Sequence, residues 1–399
     1  MSLSPLSNRI LSMAESQTIG MAKKSRELAA QGIDVINLSL GEPDFVTPTH
    51  IREAAKKAID DGFTFYPPIS GFLELRKAIS DKFRRENGLT FGVDQIVVST
   101  GAKQSIANVV LSLVNPGDEV IIPLPYWVSY IEIVKLAEGV TVPINTTLES
   151  NFKMTAEQLE AAITPKSKLL IYSSPCNPTG SVFTRDELAS FAEVLRKHPH
   201  LYVLSDEIYE HINFLEKHES IAQFEDIRDR IIVVNGVSKG YAMTGWRIGY
   251  IGASKEIAAA CDKMQGQFTS AASSIAQKAA EAALSMDITP TLEMQKAFHR
   301  RRDLVIGLMK DIPGVRLNDP QGAFYIFADI RSYLGSSNGQ QKIQTATDLC
   351  MYLLNEAHVS VVTGEAFGDP SCIRISYAAA DDKLREAIRR IKEALARLH

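Results

Sequence analysis

The chain has 399 residues, 45% hydrophobic and 23% charged, an ordinary globular composition long enough for two cores. A net charge of −4 argues against a nucleic-acid binder or a protein held on an anionic membrane. Four scattered cysteines, Cys176, Cys261, Cys350 and Cys372, lack CxxC or CxxH spacing, so no disulfide framework and no metal site are expected, and a cytoplasmic setting fits.

Taken in chain order, the first 18 residues hold no signal-peptide core, and no later apolar run reaches membrane-spanning length. A helix over 19–31 and a strand over 35–40 come next. From about residue 48 to 286, short apolar runs alternate with longer amphipathic ones. Strands are predicted at 95–100 (QIVVST), 118–123 (DEVIIP), 168–173 (KLLIYS), 201–207 (LYVLSDE), 230–235 (RIIVVN) and 247–252 (RIGYIG). Helices are predicted between them, over 102–114, 126–137, 184–197 and 255–264. Such alternation specifies βαβ units and a mostly parallel sheet covered on both faces. Beyond residue 286 the texture becomes α+β: a helix over 291–310, a strand pair in GVRLNDPQGAFYIFADI, and a helix over 345–357. Short strands VSVVTG and CIRIS and a closing helix over 381–398 complete it. The expected fold is α/β, with a large domain over 48–290 and a smaller α+β domain over 291–399. Residues 1–47 form an N-terminal arm that joins the small domain in part.

In sheets of this kind, ligands bind beyond the carboxyl ends of the strands. The 95–100 strand closes on Gly101-Ala102-Lys103, where a glycine opens a helix whose first N–H groups and dipole favour an anion. The 168–173 strand closes on SPCNPTG, with Asn177 in a proline-stiffened turn. The 201–207 strand ends at Asp206, with Tyr209 three residues on, and a buried carboxylate needs a partner. The next strand leads to Lys239, set between Ser238 and Gly240, and the last begins at Arg247. Singly, these features have plainer uses: a packing glycine, a proline turn, a helix N-cap, a loop lysine. Jointly they specify a ligand with a phosphate, a protonatable ring nitrogen, a phenolic oxygen and an aldehyde. Pyridoxal 5′-phosphate has all four, and its hallmarks are a Schiff-base lysine and an aspartate on the ring nitrogen.

Several ordered motifs span the chain: GEPDF (41–45), YPPISGFLELRKAI (66–79), PYWVSY (125–130), SSPCNPTG, SDEIYEH, VSKGYAMTGWRIGY, QGAFY (321–325) and CIRISYA (372–378). On these the chain resembles the class I aminotransferases among fold-type I pyridoxal-phosphate enzymes. Within them it resembles the bacterial aspartate aminotransferase subgroup that uses a lysine for the distal carboxylate. The resemblance implies a seven-stranded sheet in the large domain and a pyridoxal 5′-phosphate Schiff base on Lys239, which also moves the substrate proton. Asp206 is implied to pair with the ring nitrogen, and Asn177 and Tyr209 to hydrogen-bond the phenolic oxygen. Gly101, Ala102, Lys103, Ser238 and Arg247 would gather round the phosphate, and Trp127 would stack on the ring. Tyr66 would reach the phosphate of the neighbouring subunit in a homodimer with shared sites. Gly236 stands where many relatives carry a hydroxyl residue, leaving that contact to Ser238 or to water.

For the substrate, the resemblance implies that Arg374 receives the α-carboxylate, with Gly41 and Asn177 completing the clamp. Lys103 would read the distal carboxylate. The implied activity moves an amino group between aspartate or glutamate and a 2-oxo acid such as 2-oxoglutarate. Prephenate, aromatic amino acids and alanine are alternative substrates, and a β-lyase is an alternative reaction on the same fold. A cofactor-sensing transcription regulator would need a DNA-binding extension, whereas only some forty residues precede GEPDF.

Overall fold

The computed structural model describes residues 5–15 and 17–399, so residues 1–4 and 16 of the predicted arm lie outside the description. A two-residue strand β1 (Ile36–Asn37) precedes the seven strands of the central sheet. These are β2 (Ile96–Ser99), β3 (Glu119–Pro123), β4 (Val140–Ile144), β5 (Ser167–Ser173), β6 (Tyr202–Asp206), β7 (Ile231–Gly236) and β8 (Gly249–Gly252). Their spatial order is β2-β8-β7-β6-β5-β3-β4. β8 runs antiparallel to both β2 and β7, and every other neighbouring pair is parallel.

The strands read as unbroken apolar runs because both faces are buried. Along β7, Ile231 and Val233 enter one core while Ile232 and Val234 enter the other; β5 divides Leu170 and Tyr172 from Leu169 and Ile171 in the same way. β4 was not foreseen. It is an edge strand paired only with β3, half-exposed and carrying Pro143, and so lacks the apolar run that marks its neighbours.

A third core lies under a three-stranded sheet of order β11-β12-β9, from β9 (Tyr325–Asp329), β11 (Val362–Thr363) and β12 (Cys372–Ser376). Strand β10 (Val359–Ser360) precedes β11 and pairs in parallel with β1, so the N-terminal strand docks on the C-terminal portion. Met21, Ile36 and Leu38 share that core with Leu349, Ile373 and Ile388. The strand pair foreseen within 314–330 reduces to β9 and an isolated bridge between Arg316 and Asp329, since Pro320 and its turn interrupt the first half. Among the described residues, no helix is long and apolar enough to cross a membrane.

Beneath the ends of β6 and β7 lies a buried ionic cluster. Lys82 closes the helix Leu73–Lys82 and is fully buried, with its ammonium paired to Glu210, 2.8 Å from Asn87 Oδ1 and 3.6 Å from Glu86. His211 Nε2 lies 2.9 Å from Glu86, and His218 Nε2 the same distance from Glu207. Burial alone would raise the Glu210 carboxyl, but the charges of Lys82, His211 and His218 outweigh it and hold it well below the ordinary range. Carboxylates and imidazoles grouped this closely are spaced like metal ligands, yet the cation among them is the lysine itself. Lys82→Met strands a buried carboxylate and is expected to destabilise the fold by about 3–5 kcal/mol. The double variant Lys82→Met/Glu210→Leu should recover much of that in urea titrations; an unaltered single variant would remove the cluster from any structural role.

Candidate active site

The strand ends converge on one pocket. Lys239 follows β7 in a turn closed by the Met243 N–H on the Ser238 carbonyl at 3.1 Å. Its Nζ donates to the Gly41 carbonyl and stands 5.7 Å from the centre of the Tyr209 ring. Burial foremost, with the positive charges of Arg374 and Arg247, brings its pKa down to about 8 against the opposing pull of Glu42. An amine so placed is part neutral near pH 7 and able to attack a carbonyl carbon.

Asp206 ends the central strand β6 and is 5% exposed. The Tyr130 hydroxyl donates to Oδ2 at 2.7 Å and the Ile208 N–H to Oδ1 at 3.2 Å. Burial raises its pKa to about 6 in spite of both bonds. No ion pair to Asp206 occurs among the described residues, so this corner is suited to a ligand's cationic group.

A cradle for an anion opens where β2 passes into the helix Ala102–Leu113. Gly101 has φ +81°, and a Cβ there would lie 2.2 Å from Nη2 of Arg247. A Cβ on Gly249 would lie 2.1 Å from the Ala102 nitrogen. Only glycine lets guanidinium and backbone approach this closely. Gly236 pairs with Gly249 across β7 and β8, and a Cβ on it would meet the Ile248 carbonyl at 2.8 Å, so any side chain there would need the β8 backbone to shift. Ser238, buried and lining the pocket, is the nearby hydroxyl.

The opposite wall belongs to Arg374 of β12, 2% exposed. Its Nη1 donates to Asn177 Oδ1 at 3.0 Å and its Nη2 to the Ser39 carbonyl at 2.5 Å. The guanidinium lies 4.5 Å from the Tyr325 ring centre and 4.9 Å from that of Phe367. Its buried Nε has no protein partner among the described residues. Lys103 Nζ stands 5.0 Å over Trp127, and partial burial followed by Arg247 lowers its pKa. Trp127 in turn meets Tyr130 edge-on at 5.4 Å.

The predicted residues Gly41, Ala102, Lys103, Trp127, Asn177 and Asp206 all line this one pocket. Tyr209, Ser238, Lys239, Arg247 and Arg374 line it too, and Gly101 stands just behind its rim. Tyr66 does not: it is 95% exposed. Several lining residues were not singled out from the sequence, Tyr130, Tyr325 and Ile19 among them. Tyr130 and Tyr325 sit inside quoted motifs with nothing local to mark them, and Ile19 lies at the pocket mouth on the helix Gln17–Ala30.

The donor set fits pyridoxal 5′-phosphate: a glycine-opened cradle with Arg247 for the phosphate, a buried carboxylate in no ion pair among the described residues, and a lysine whose pKa falls to about 8. Fold and site together define a fold-type I pyridoxal-phosphate enzyme. Residues 33–391 match the model of the family described as aminotransferase class I and II, and the chain belongs to that family. It is 49% identical over 395 residues, 98% of this chain and 82% of the other, to a bifunctional aspartate aminotransferase and glutamate/aspartate-prephenate aminotransferase of Petunia hybrida. It is 48% identical over 390 residues, 97% of this chain and 98% of the other, to an aspartate/prephenate aminotransferase of Cereibacter sphaeroides. The crystal structure of the aspartate aminotransferase of Rhizobium meliloti superposes over the whole of both chains with a TM-score of 0.95 at 44% identity. That of the Thermus thermophilus enzyme with maleate gives 0.92 at 38%, covering 98% of this chain and all of the other.

The raised pKa of Asp206 sets a sign for stability. Its cost is absent below the unfolded value near 3.8, grows as pH rises toward 6, and is complete above. Cofactor-free Asp206→Asn is therefore expected to be more stable than the parent at pH 8, by at most about 3 kcal/mol, and no more stable at pH 4. Denaturant titrations at both pH values check this; an equal difference at the two would discard the buried-charge account.

Proposed function

We propose that the chain transfers the amino group between aspartate, or glutamate, and a 2-oxo acid such as 2-oxoglutarate, using pyridoxal 5′-phosphate linked to Lys239. The observation that carries this reading is the juxtaposition in one pocket of a lysine whose pKa burial lowers to about 8, a buried aspartate in no ion pair among the described residues, and a buried arginine fork whose Nε has no protein partner among them. When bound, the cofactor supplies an electron sink for charge developing at the substrate Cα. Asp206, held by Tyr130 and the Ile208 N–H, would stay anionic opposite the ring nitrogen. Tyr209 and Asn177 would serve the phenolic oxygen and Trp127 would stack on the ring; the backbone N–H groups of Gly101, Ala102 and Lys103, with Ser238 and Arg247, would hold the phosphate, leaving the Lys103 ammonium to the distal carboxylate. Arg374 takes the α-carboxylate in a bidentate fork beside Asn177 and Gly41. The Lys239 amine, once released, would take the proton from Cα and pass it to C4′ of the cofactor, and would run that transfer in reverse in the second half of the exchange.

The reading includes a cytoplasmic homodimer. In support, Phe65 and Tyr66 stand 83% and 95% exposed, as aromatic side chains would where a second copy covers them and receives Tyr66 at its phosphate. It divides the chain into an arm (1–47), a large domain (48–290) and a small domain (291–399), with Arg374 and Lys239 on opposite sides of the cleft. Closure of that cleft would exclude water from the proton transfer. Prephenate is the second reading for the acceptor, favoured by the relatives whose names carry it.

Mixing the yellow protein with a panel of amino acids and following loss of its visible band ranks the donors; aspartate and glutamate are expected to lead. Borohydride reduction should fix the cofactor on Lys239, and a label on any other lysine would overturn that assignment. Lys103→Ala should lower kcat/KM for aspartate by roughly 30-fold or more, the loss of one partner of a buried charge pair, and leave alanine and phenylalanine much less affected. Equal losses would mean that Lys103 serves the phosphate and not the distal carboxylate.

A further inference from the structure

Tyr325 opens β9, is fully buried, and touches three groups on different walls of the pocket. Its hydroxyl lies 2.7 Å from the hydroxyl of Tyr209. Its ring lies against the guanidinium of Arg374. A Cβ on Gly41 would come 2.1 Å from its hydroxyl, so the loop whose carbonyl receives Lys239 is pressed against it. β9 is paired to β12, so Tyr325 and Arg374 move as parts of one sheet, whereas Tyr209 follows β6 in the other.

We propose that Tyr325 is a positioning residue that couples the two ends of the site, its hydroxyl orienting the Tyr209 phenol and its ring fixing the plane of Arg374. The proposal deepens the aminotransferase reading and rests on it. A phenol has one proton to donate. If Tyr209 gives its proton to a cofactor oxygen, the hydroxyl pair must run from Tyr325 to Tyr209, and Tyr325 becomes the donor. Hydrogen bonds in series polarise one another, so Tyr209 backed by Tyr325 is a stronger donor to an oxyanion than an isolated tyrosine. Burial raises the Tyr325 phenol on balance, and the Arg374 cation over its ring opposes that rise, which favours its O–H as a donor. In return, the ring face holds the guanidinium in plane while, among the described residues, only two of its N–H groups are committed to protein partners, Asn177 Oδ1 and the Ser39 carbonyl.

Two substitutions separate these roles in the holoenzyme. Tyr325→Phe keeps the ring and removes the hydroxyl. Weaker donation from Tyr209 to an anionic oxygen disfavours deprotonation nearby, so the pH midpoint of the visible band should rise by about half a unit. Maleate binding, read from the same band, should stay within about twofold of the parent, because the ring still faces Arg374. Tyr325→Leu removes both features and should weaken maleate at least about tenfold as well as moving the midpoint. A Phe variant whose midpoint matches the parent, or a Leu variant that binds maleate as tightly as the parent, overturns the coupling. A parent protein that forms no visible band on Lys239 overturns the aminotransferase reading and this proposal with it. A normal parent band with an unmoved Phe variant overturns this proposal alone.

Discussion

Asp206 imposes the constraint around which the rest of the site is arranged. A carboxylate at the end of the middle strand of seven has lost most of its water, and one hydroxyl with one backbone N–H does not replace it. The deficit is visible as a pKa displaced upward to about 6. Nearly everything else charged in the pocket is positive: Lys239, Arg247, Lys103 and Arg374. A ligand with two anionic ends and one cationic ring position therefore has a single favourable orientation, its cation over β6 and its anions toward the helix start and β12. Binding energy and orientation come from the same imbalance.

That arrangement needs backbones and charged groups closer together than side chains permit. Gly101 and Gly249 bring a helix start, a strand and a guanidinium into contact, and Gly41 brings a loop against Tyr325. These positions are glycine because a Cβ would occupy the space of a neighbouring atom, and in Gly101 the left-handed φ adds a second reason. Gly236 belongs to the same logic. With β8 as close as it is here, a Cβ on Gly236 would meet the Ile248 carbonyl and Gly249, and a side chain at that position would need β8 to shift.

How much of this could be read from residues alone depends on sequence distance. Strands β2, β3, β5, β6, β7 and β8 announce themselves as apolar runs, and the residues just past several of them are local to those runs. Gly101, Asn177, Asp206 and Lys239 were therefore legible, and the ordered motifs added Arg374. The edge strand β4 was not, because half-exposure and Pro143 break its apolar signal. Tyr130 was hidden for another reason: its bond to Asp206 spans 76 positions and nothing in PYWVSY predicts a buried acceptor. Tyr325 meets Tyr209 across 116 positions. Lys82 carries no local signal at all, since a lysine on a helix is ordinarily solvated and only the fold brings Glu210 against it.

The segment SDEIYEH acts on both of its sides. Asp206 and Tyr209 line the pocket, while Glu207, Glu210 and His211 turn toward Lys82, Glu86 and His218. Past the end of β6 the segment is a turn and not a helix, so residues 207–211 have no ladder of their own to hold them. Its rigidity comes from the ionic cluster on the far side, where Ser205 and Ser220 also donate to Glu207. Gly240 closes the arrangement. A Cβ there would meet His211 at 2.8 Å, so the lysine turn rests directly on the cluster. Polar groups behind the site thus fix the spacing of Asp206, Tyr209 and Lys239, a tolerance that loops alone would not give a reacting centre.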